Sequence, residues 1–298
     1  MPRHDSIFKT LLSRFFADLL RLIVPALAGS LDLASLDFPN KELLTAGGSR
    51  REPDLLAEVS FLGDGAPVFF IHVEVEARAT AGMGRRLWRY HNQIQASRDR
   101  DVLSVVVYLK RGRAGVQVQR LVDVSLPAGL GEDFKYVAFG LAGCDAADYL
   151  ARPEPLAWGL AALMQPGDLT RPALKLACLR RIAAAALDQE HRFLLVEFVE
   201  AYLELNSNEA EEYARLCTVR ENREVREMAM TWSERMKAEG RQEGLQAMRT
   251  MLLTLLDQRF GPLPEETRAR IEAIPSLRRL SRLGEKVLTV RSLAALRL

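Results

Sequence analysis

A chain of 298 residues has room for about two domains, and a formal net charge of +2 at pH 7 selects no partner by itself. Hydrophobic residues make up 48% and charged residues 27%, which excludes a disordered chain, a collagen-like fibre and a small disulfide scaffold. Cys144, Cys178 and Cys217 lie far apart and form no CxxC pair, so neither a disulfide framework nor a thiolate zinc site is indicated. The chain opens MPRHDSIFK, and Arg21 and Pro25 break the apolar stretch at 19–27. That stretch makes neither a signal-peptide core nor a bilayer span, so a cytoplasmic protein with no membrane partner is expected.

In chain order, Asp5 or Ser6 is placed to cap a helix whose apolar positions Ile7, Phe8, Leu11, Leu12, Phe15 and Phe16 recur at helical spacing. Pro25 and Gly29 help to end it. A Gly-rich break, TAGGSRREPD, precedes a short strand over 55–61. The turn signal Gly63-Asp64-Gly65 follows, and then the best strand pattern in the chain, at 68–77. These two runs predict a hairpin with its strands side by side. Residues 83–100 read as a helix, and VLSVVVYL at 102–109 as a buried, β-branched strand. Residues 116–124 and 136–139 are weaker strand candidates.

From about residue 146 the strand signals stop. Helical propensity is almost continuous over 208–250, interrupted at Gly240 and Gly244. An amphipathic helix at 251–260 ends at Gly261-Pro262, and Pro264-Glu265-Glu266 opens another. The expected division is an α/β module over 1–150, a helical region with an extended linker helix over 151–245, and a small helical domain over 246–298. Val225, Met228 and Trp232 form a stripe suited to self-association as a homo-oligomer. Charge is blocked along the chain. From 82 to 113 eight basic residues face only Asp99 and Asp101; from 188 to 243 acids exceed bases by fourteen to eight; from 244 onward bases exceed acids by ten to five. Such blocks suit separate surfaces, although solvated helix faces produce them too.

The constellation richest in chemistry is Pro53-Asp54 followed by Glu74-Val75-Glu76. Alternation along a strand puts Glu74 and Glu76 on one face beside His72, with Val73 and Val75 on the other. If the strand at Asp54 pairs with this one, three carboxylates converge. Hard oxygen ligands of this kind suit Mg²⁺ or Mn²⁺. Alternating acids also describe an ordinary solvated strand face, and His72 reads equally as a core or surface histidine. The following helix carries Arg85-Arg86-Leu87-Trp88-Arg89-Tyr90, with Arg86 and Tyr90 one turn apart. Its cations suit phosphates; a solvated face with Leu87 and Trp88 packed inward explains them as well.

The segments HDSIFK at 4–9, REPDLL at 51–56, FIHVEVEAR at 70–78 and RRLWRY at 85–90 together resemble the recombination-promoting nuclease/putative transposase family (Rpn-type, YhgA-like) of the PD-(D/E)XK nuclease superfamily. The resemblance covers roughly residues 1–145. The segment LLDQRFGPLPEETRARIEAI resembles a small C-terminal domain that often ends such proteins. The resemblance implies a restriction-endonuclease-like α/β fold, a mixed sheet flanked by helices, with a mainly helical C-terminal region. It implies Mg²⁺-dependent cleavage of DNA, with Asp54 and Glu74 as metal-binding and catalytic residues. Glu76 falls where the superfamily places Lys, so it is expected as a further ligand or base, or as the mark of a weakened enzyme. Arg78 is the nearest cationic substitute along that face. Arg85, Arg86, Arg89 and Tyr90 are the expected DNA-binding residues. Asp5 matches a family position, with capping as the competing role. No GxxxxGK[ST], HExxH or GxSxG motif is present.

Overall fold

A computed structural model describes residues 2–39, 43–44, 50–51, 53–122 and 133–287. The chain forms two compact units, Met1–Met228 and Ala229–Leu298. In the first, helices α1 (Pro2–Arg14), α2 (Phe16–Ile23) and α3 (Pro25–Ala28) lead into strand β1 (Leu31–Asp37). A two-residue pair, β2 (Leu43–Leu44) and β3 (Arg50–Arg51), precedes the hairpin β4 (Leu55–Phe61) and β5 (Val68–Arg78). Helix α4 (Met83–Arg98) then connects to β6 (Val102–Arg111), followed by β7 (Gly115–Val122) and β8 (Asp133–Gly140). The six-stranded sheet has the order β1-β4-β5-β6-β8-β7. It is mixed: β5, β6 and β8 run parallel, and the remaining neighbours pair antiparallel. The fold is therefore α/β, a mixed sheet flanked by helices and followed by a helical C-terminal region.

The sheet positions the acidic strand. The β4–β5 register opposes Leu55 to Val73 and Leu56 to His72, which brings Asp54 beside Glu74. On the other side of β5, Glu74 lies opposite Val106 and Glu76 opposite Tyr108 of β6. Helix α4, the crossover between the parallel strands β5 and β6, covers the face that carries Phe70, His72 and Glu74. Its Ile94 packs with Leu56 and Phe70, and its Met83 and Leu87 pack with Val106 and Tyr108. The alternating acids are thus not a solvated face: His72 is fully buried and Glu74 is 4% exposed.

Three expectations need correction. Helix α1 begins at Pro2, so Asp5 and Ser6 lie inside it and not at its N-cap position. Strand β1 arises where no strand was expected, in the mixed sequence LDLASLD. The boundary at 150/151 does not separate compact units, because the helices that follow complete the core of the first one. These are α5 (Ala146–Leu150), α6 (Pro155–Leu160), α7 (Arg171–Ala184), α8 (Gln189–Tyr202) and α9 (Ser207–Cys217). Phe8 of α1 meets Phe198 and Tyr202 of α8 at ring-centroid distances of 5.4 and 6.1 Å. Asp18 of α2, largely buried, accepts the Leu156 N–H of α6 at 3.3 Å and pairs with Arg21 at 3.0 Å. Burial outweighs these partners and raises the Asp18 carboxyl above its ordinary value. The apolar side of α1 and α2 needs a cover, and residues beyond 150 provide it.

Helix α10 (Arg223–Phe260) runs unbroken through Gly240 and Gly244. Neither glycine is forced by space: a methyl at Gly240 meets nothing within 4 Å, and one at Gly244 makes ordinary contact with Leu277 at 3.7 Å. The second unit adds α11 (Glu265–Glu272) and α12 (Leu277–Val287). Its core is Leu252, Leu256, Leu263, Ile271, Ile274, Leu280, Leu283 and Val287. Gly261 turns the chain at φ +80°, and Asp257 secures the turn by accepting the Leu263 N–H at 3.1 Å and pairing with Arg268 at 2.6 Å. Of the stripe expected to self-associate, Val225 is buried within the single chain. Among the described residues no helix is long and apolar enough to cross a membrane.

Two outcomes follow from this architecture. A fragment of residues 1–150 should fail to fold cooperatively, because Phe8, Leu11 and Leu12 lose their cover, whereas 1–228 should give a cooperative thermal transition. In the full chain, Gly240→Ala should stabilise α10 by up to about 1 kcal/mol, since alanine removes backbone entropy without a clash. Denaturant unfolding followed by helical circular dichroism measures it.

Candidate functional site

The site forms around the second half of β5. Asp54, immediately before β4, is joined to β5 by two hydrogen bonds. Its backbone N–H donates to Glu74 Oε1 at 3.1 Å, and its Oδ2 accepts the Val75 N–H at 2.9 Å. These reciprocal bonds lock the carboxylates of Asp54 and Glu74 to adjacent positions across the hairpin. Glu74 has further partners. Its Oε1 also bonds His72 Nε2 at 3.1 Å, and its Oε2 accepts from the Arg86 guanidinium at 2.8 Å. The same Arg86 nitrogen bonds Glu76 Oε1, so one cation from α4 bridges both acids of the strand.

A second cation comes from α1. Lys9 Nζ lies 2.7 Å from Asp54 Oδ1, with both side chains partly buried. Lys9 escaped the sequence reading because the periodicity of α1 registers its apolar residues, and Lys9 lies off that stripe at its edge. Its place in HDSIFK was the available signal. Arg78 does not take this role: the β5–β6 register shifts between Glu76 and Arg78, and Arg78 is exposed. Three carboxylates and two protein cations therefore share the site.

The helix residues separate into two groups. Arg86 and Tyr90 turn inward, with the Tyr90 ring against His72 at 5.0 Å between centroids. Arg85 and Arg89 face solvent. Leu87 is fully buried and Trp88 packs beside it, as a helix covering a sheet requires. Tyr108, opposite Glu76, has its phenol pushed up to about 12, by burial first and then by the neighbouring Tyr136 and Glu76, so it stays neutral.

Burial by itself would raise the Glu74 carboxyl. The hydrogen bond and charge of His72, the Asp54 N–H and the Arg86 charge together outweigh it and hold Glu74 below its ordinary value of 4.5. The fold places a donor or a cation at each Glu74 oxygen. Arg86 is held more firmly protonated: burial opposes its charge, and Glu76 and Glu74 more than offset that.

Every candidate ligand atom is a carboxylate oxygen, a donor set that matches hard divalent cations. Among the described residues no group of three or more His, Cys, Asp or Glu side chains is arranged to hold a metal as it stands. The protein's own cations sit against the oxygens a metal would use. Comparison with protein-family profiles, curated proteins and solved structures gave no match.

A lowered carboxyl pKa contributes stability that is present above the unfolded-state value and is lost as pH falls through the folded-state value. Arg86→Ala removes one reason for that lowering and leaves a buried carboxylate short of a partner. It should destabilise the first unit by about 1–3 kcal/mol near neutral pH, less than a fully buried pair because Arg86 is 40% exposed. The difference from wild type should shrink as pH falls below about 4. Urea unfolding across that pH range measures both.

Proposed function

We propose that the chain is a metal-dependent DNA endonuclease of the restriction-endonuclease-like kind, acting in recombination or with mobile DNA in the cytoplasm. The observation that carries this reading is the pairing of Asp54 with Glu74 across the β4–β5 hairpin, with Glu76 next along the same strand face. Asp54, Glu74 and Glu76 would hold Mg²⁺ or Mn²⁺. When bound, such an ion activates water and stabilises charge developing on a phosphodiester. The chain's residues do the rest. His72 and the Asp54 N–H orient Glu74, and Arg86 bridges Glu74 and Glu76 and helps to keep Glu74 ionised. Arg85 and Arg89, on the exposed side of α4, offer phosphate contacts on the approach to the site.

A second reading is favoured by a specific observation. Glu76 stands in the position the superfamily gives to Lys, and Lys9 and Arg86 already neutralise two of the three carboxylates. A DNA-binding or regulatory protein that keeps the nuclease fold without efficient cleavage would have this charge arrangement.

Plasmid nicking by purified protein separates the two. The enzyme reading expects nicking with Mg²⁺ or Mn²⁺, none with EDTA, and loss of nicking in Glu74→Ala. If Glu76 marks a weakened enzyme, Glu76→Lys raises nicking; if Glu76 is an adapted ligand, it lowers it. No cleavage by wild type or by Glu76→Lys, where both bind DNA and metal, assigns the non-catalytic reading.

A further inference from the structure

The positive excess of the C-terminal segment is concentrated on one helix. Between residues 249 and 276, Arg249, Arg259, Arg268 and Arg270 are balanced by Asp257, Glu265, Glu266 and Glu272. Helix α12 then carries Arg278, Arg279, Arg282 and Lys286 against Glu285 alone. At 3.6 residues per turn these four cations fall within an arc of roughly 100°. All four are exposed, while Leu280, Leu283 and Val287 on the other side are buried in the unit's core.

The arginines of this unit are used in two different ways. Arg268 pairs with Asp257, and Arg249 donates to the Ile274 carbonyl at 2.7 Å, so both serve the fold. Among the described residues, Arg278, Arg279 and Arg282 pair with no carboxylate. Arg278 and Arg279 also occupy the first turn, which contains no acid. Cations there oppose the partial positive charge of the helix N-terminus, so they cost the helix stability rather than adding to it.

We propose that this face of α12 docks on the phosphate backbone of DNA. Charge complementarity supplies the attraction, and an anion over the first turn reverses the unfavourable end effect. Positions 278 to 286 span about 12 Å, which matches three to four phosphates on one strand at roughly 3.4 Å each. A lipid surface fits less well. A basic amphipathic helix holds a membrane by inserting its apolar side, and here that side is committed to the core. The surface adds a DNA contact outside the acidic site and asks nothing of cleavage.

The test uses the full chain with EDTA present, measuring affinity for a fluorescent DNA duplex over a range of salt concentrations. The triple variant R278A/R279A/R282A should lower the log–log salt slope by about 0.9 per arginine lost and weaken binding at low salt. Its thermal unfolding should be no lower than that of wild type, because none of the three side chains is buried and two of them oppose the positive end of the helix. R278K/R279K/R282K should keep the wild-type slope, and R282E should weaken binding further than R282A. An unchanged slope and affinity in the triple alanine variant overturns the proposal. So does a wild type that binds phosphatidylserine vesicles in preference to the duplex, or no duplex at all. A changed slope in a protein that never nicks plasmid leaves this surface in place and removes only the nuclease reading.

Discussion

The Arg86 guanidinium against Glu74 and Glu76 is the interaction on which the site's arrangement depends. Glu74 is almost wholly buried in a sheet whose surroundings are largely apolar, and an ionised carboxylate there without a partner is strongly unfavourable. Three contacts make it tolerable: the Asp54 N–H, His72 and Arg86, which also bonds Glu76. Only Arg86 brings a permanent positive charge from a different element. It therefore ties α4 to β5 at the point where the crossover begins, and the packing of Met83 and Leu87 on Val106 and Tyr108 lies beside it. A polar network and an apolar contact fix the same helix on the same face.

Much of this was legible because strand alternation is a rigid rule. The spacing of Glu74 and Glu76, and a hairpin bringing Asp54 alongside, needed only period-two side chains and a turn at Gly63-Asp64-Gly65. What alternation cannot say is whether a face is wet. His72 and Glu74 look like solvent-facing positions until α4 is laid over them, and a covering helix is a tertiary fact. Lys9 was hidden for a related reason: it is separated from Asp54 by 45 positions in the sequence and meets it only when α1 docks. Strand β1 was missed because LDLASLD has neither β-branched enrichment nor clean alternation; its partner β4 supplies the pairing.

The helical half shows the opposite failure. Loss of strand signal near residue 146 was real, but it marks a change of secondary structure and not the end of a core. Phe8 and Phe198 lie 190 positions apart and share one cluster. Local composition carries no information about which amphipathic faces will pair. Gly240 and Gly244 mislead in a similar way, since two glycines in a strongly helix-forming run lower its stability without breaking it.

The charge balance of the site bears on how Glu76 should be understood. Judged along the hairpin, Asp54, Glu74 and Glu76 make three acids with no base among them. Judged in space, Lys9 and Arg86 bring two cations from α1 and α4, so the site's formal balance is close to that of two acids and one base. The site's positive charge comes from the helices around the strand. Both cations are long, partly exposed side chains that can rotate away from their carboxylates without moving the backbone. Under the proposed metal-dependent reading, an entering ion would compete with Lys9 and Arg86 for the same oxygens. Ion affinity would then be set by how readily two partly exposed side chains yield, and not by the number of carboxylates alone.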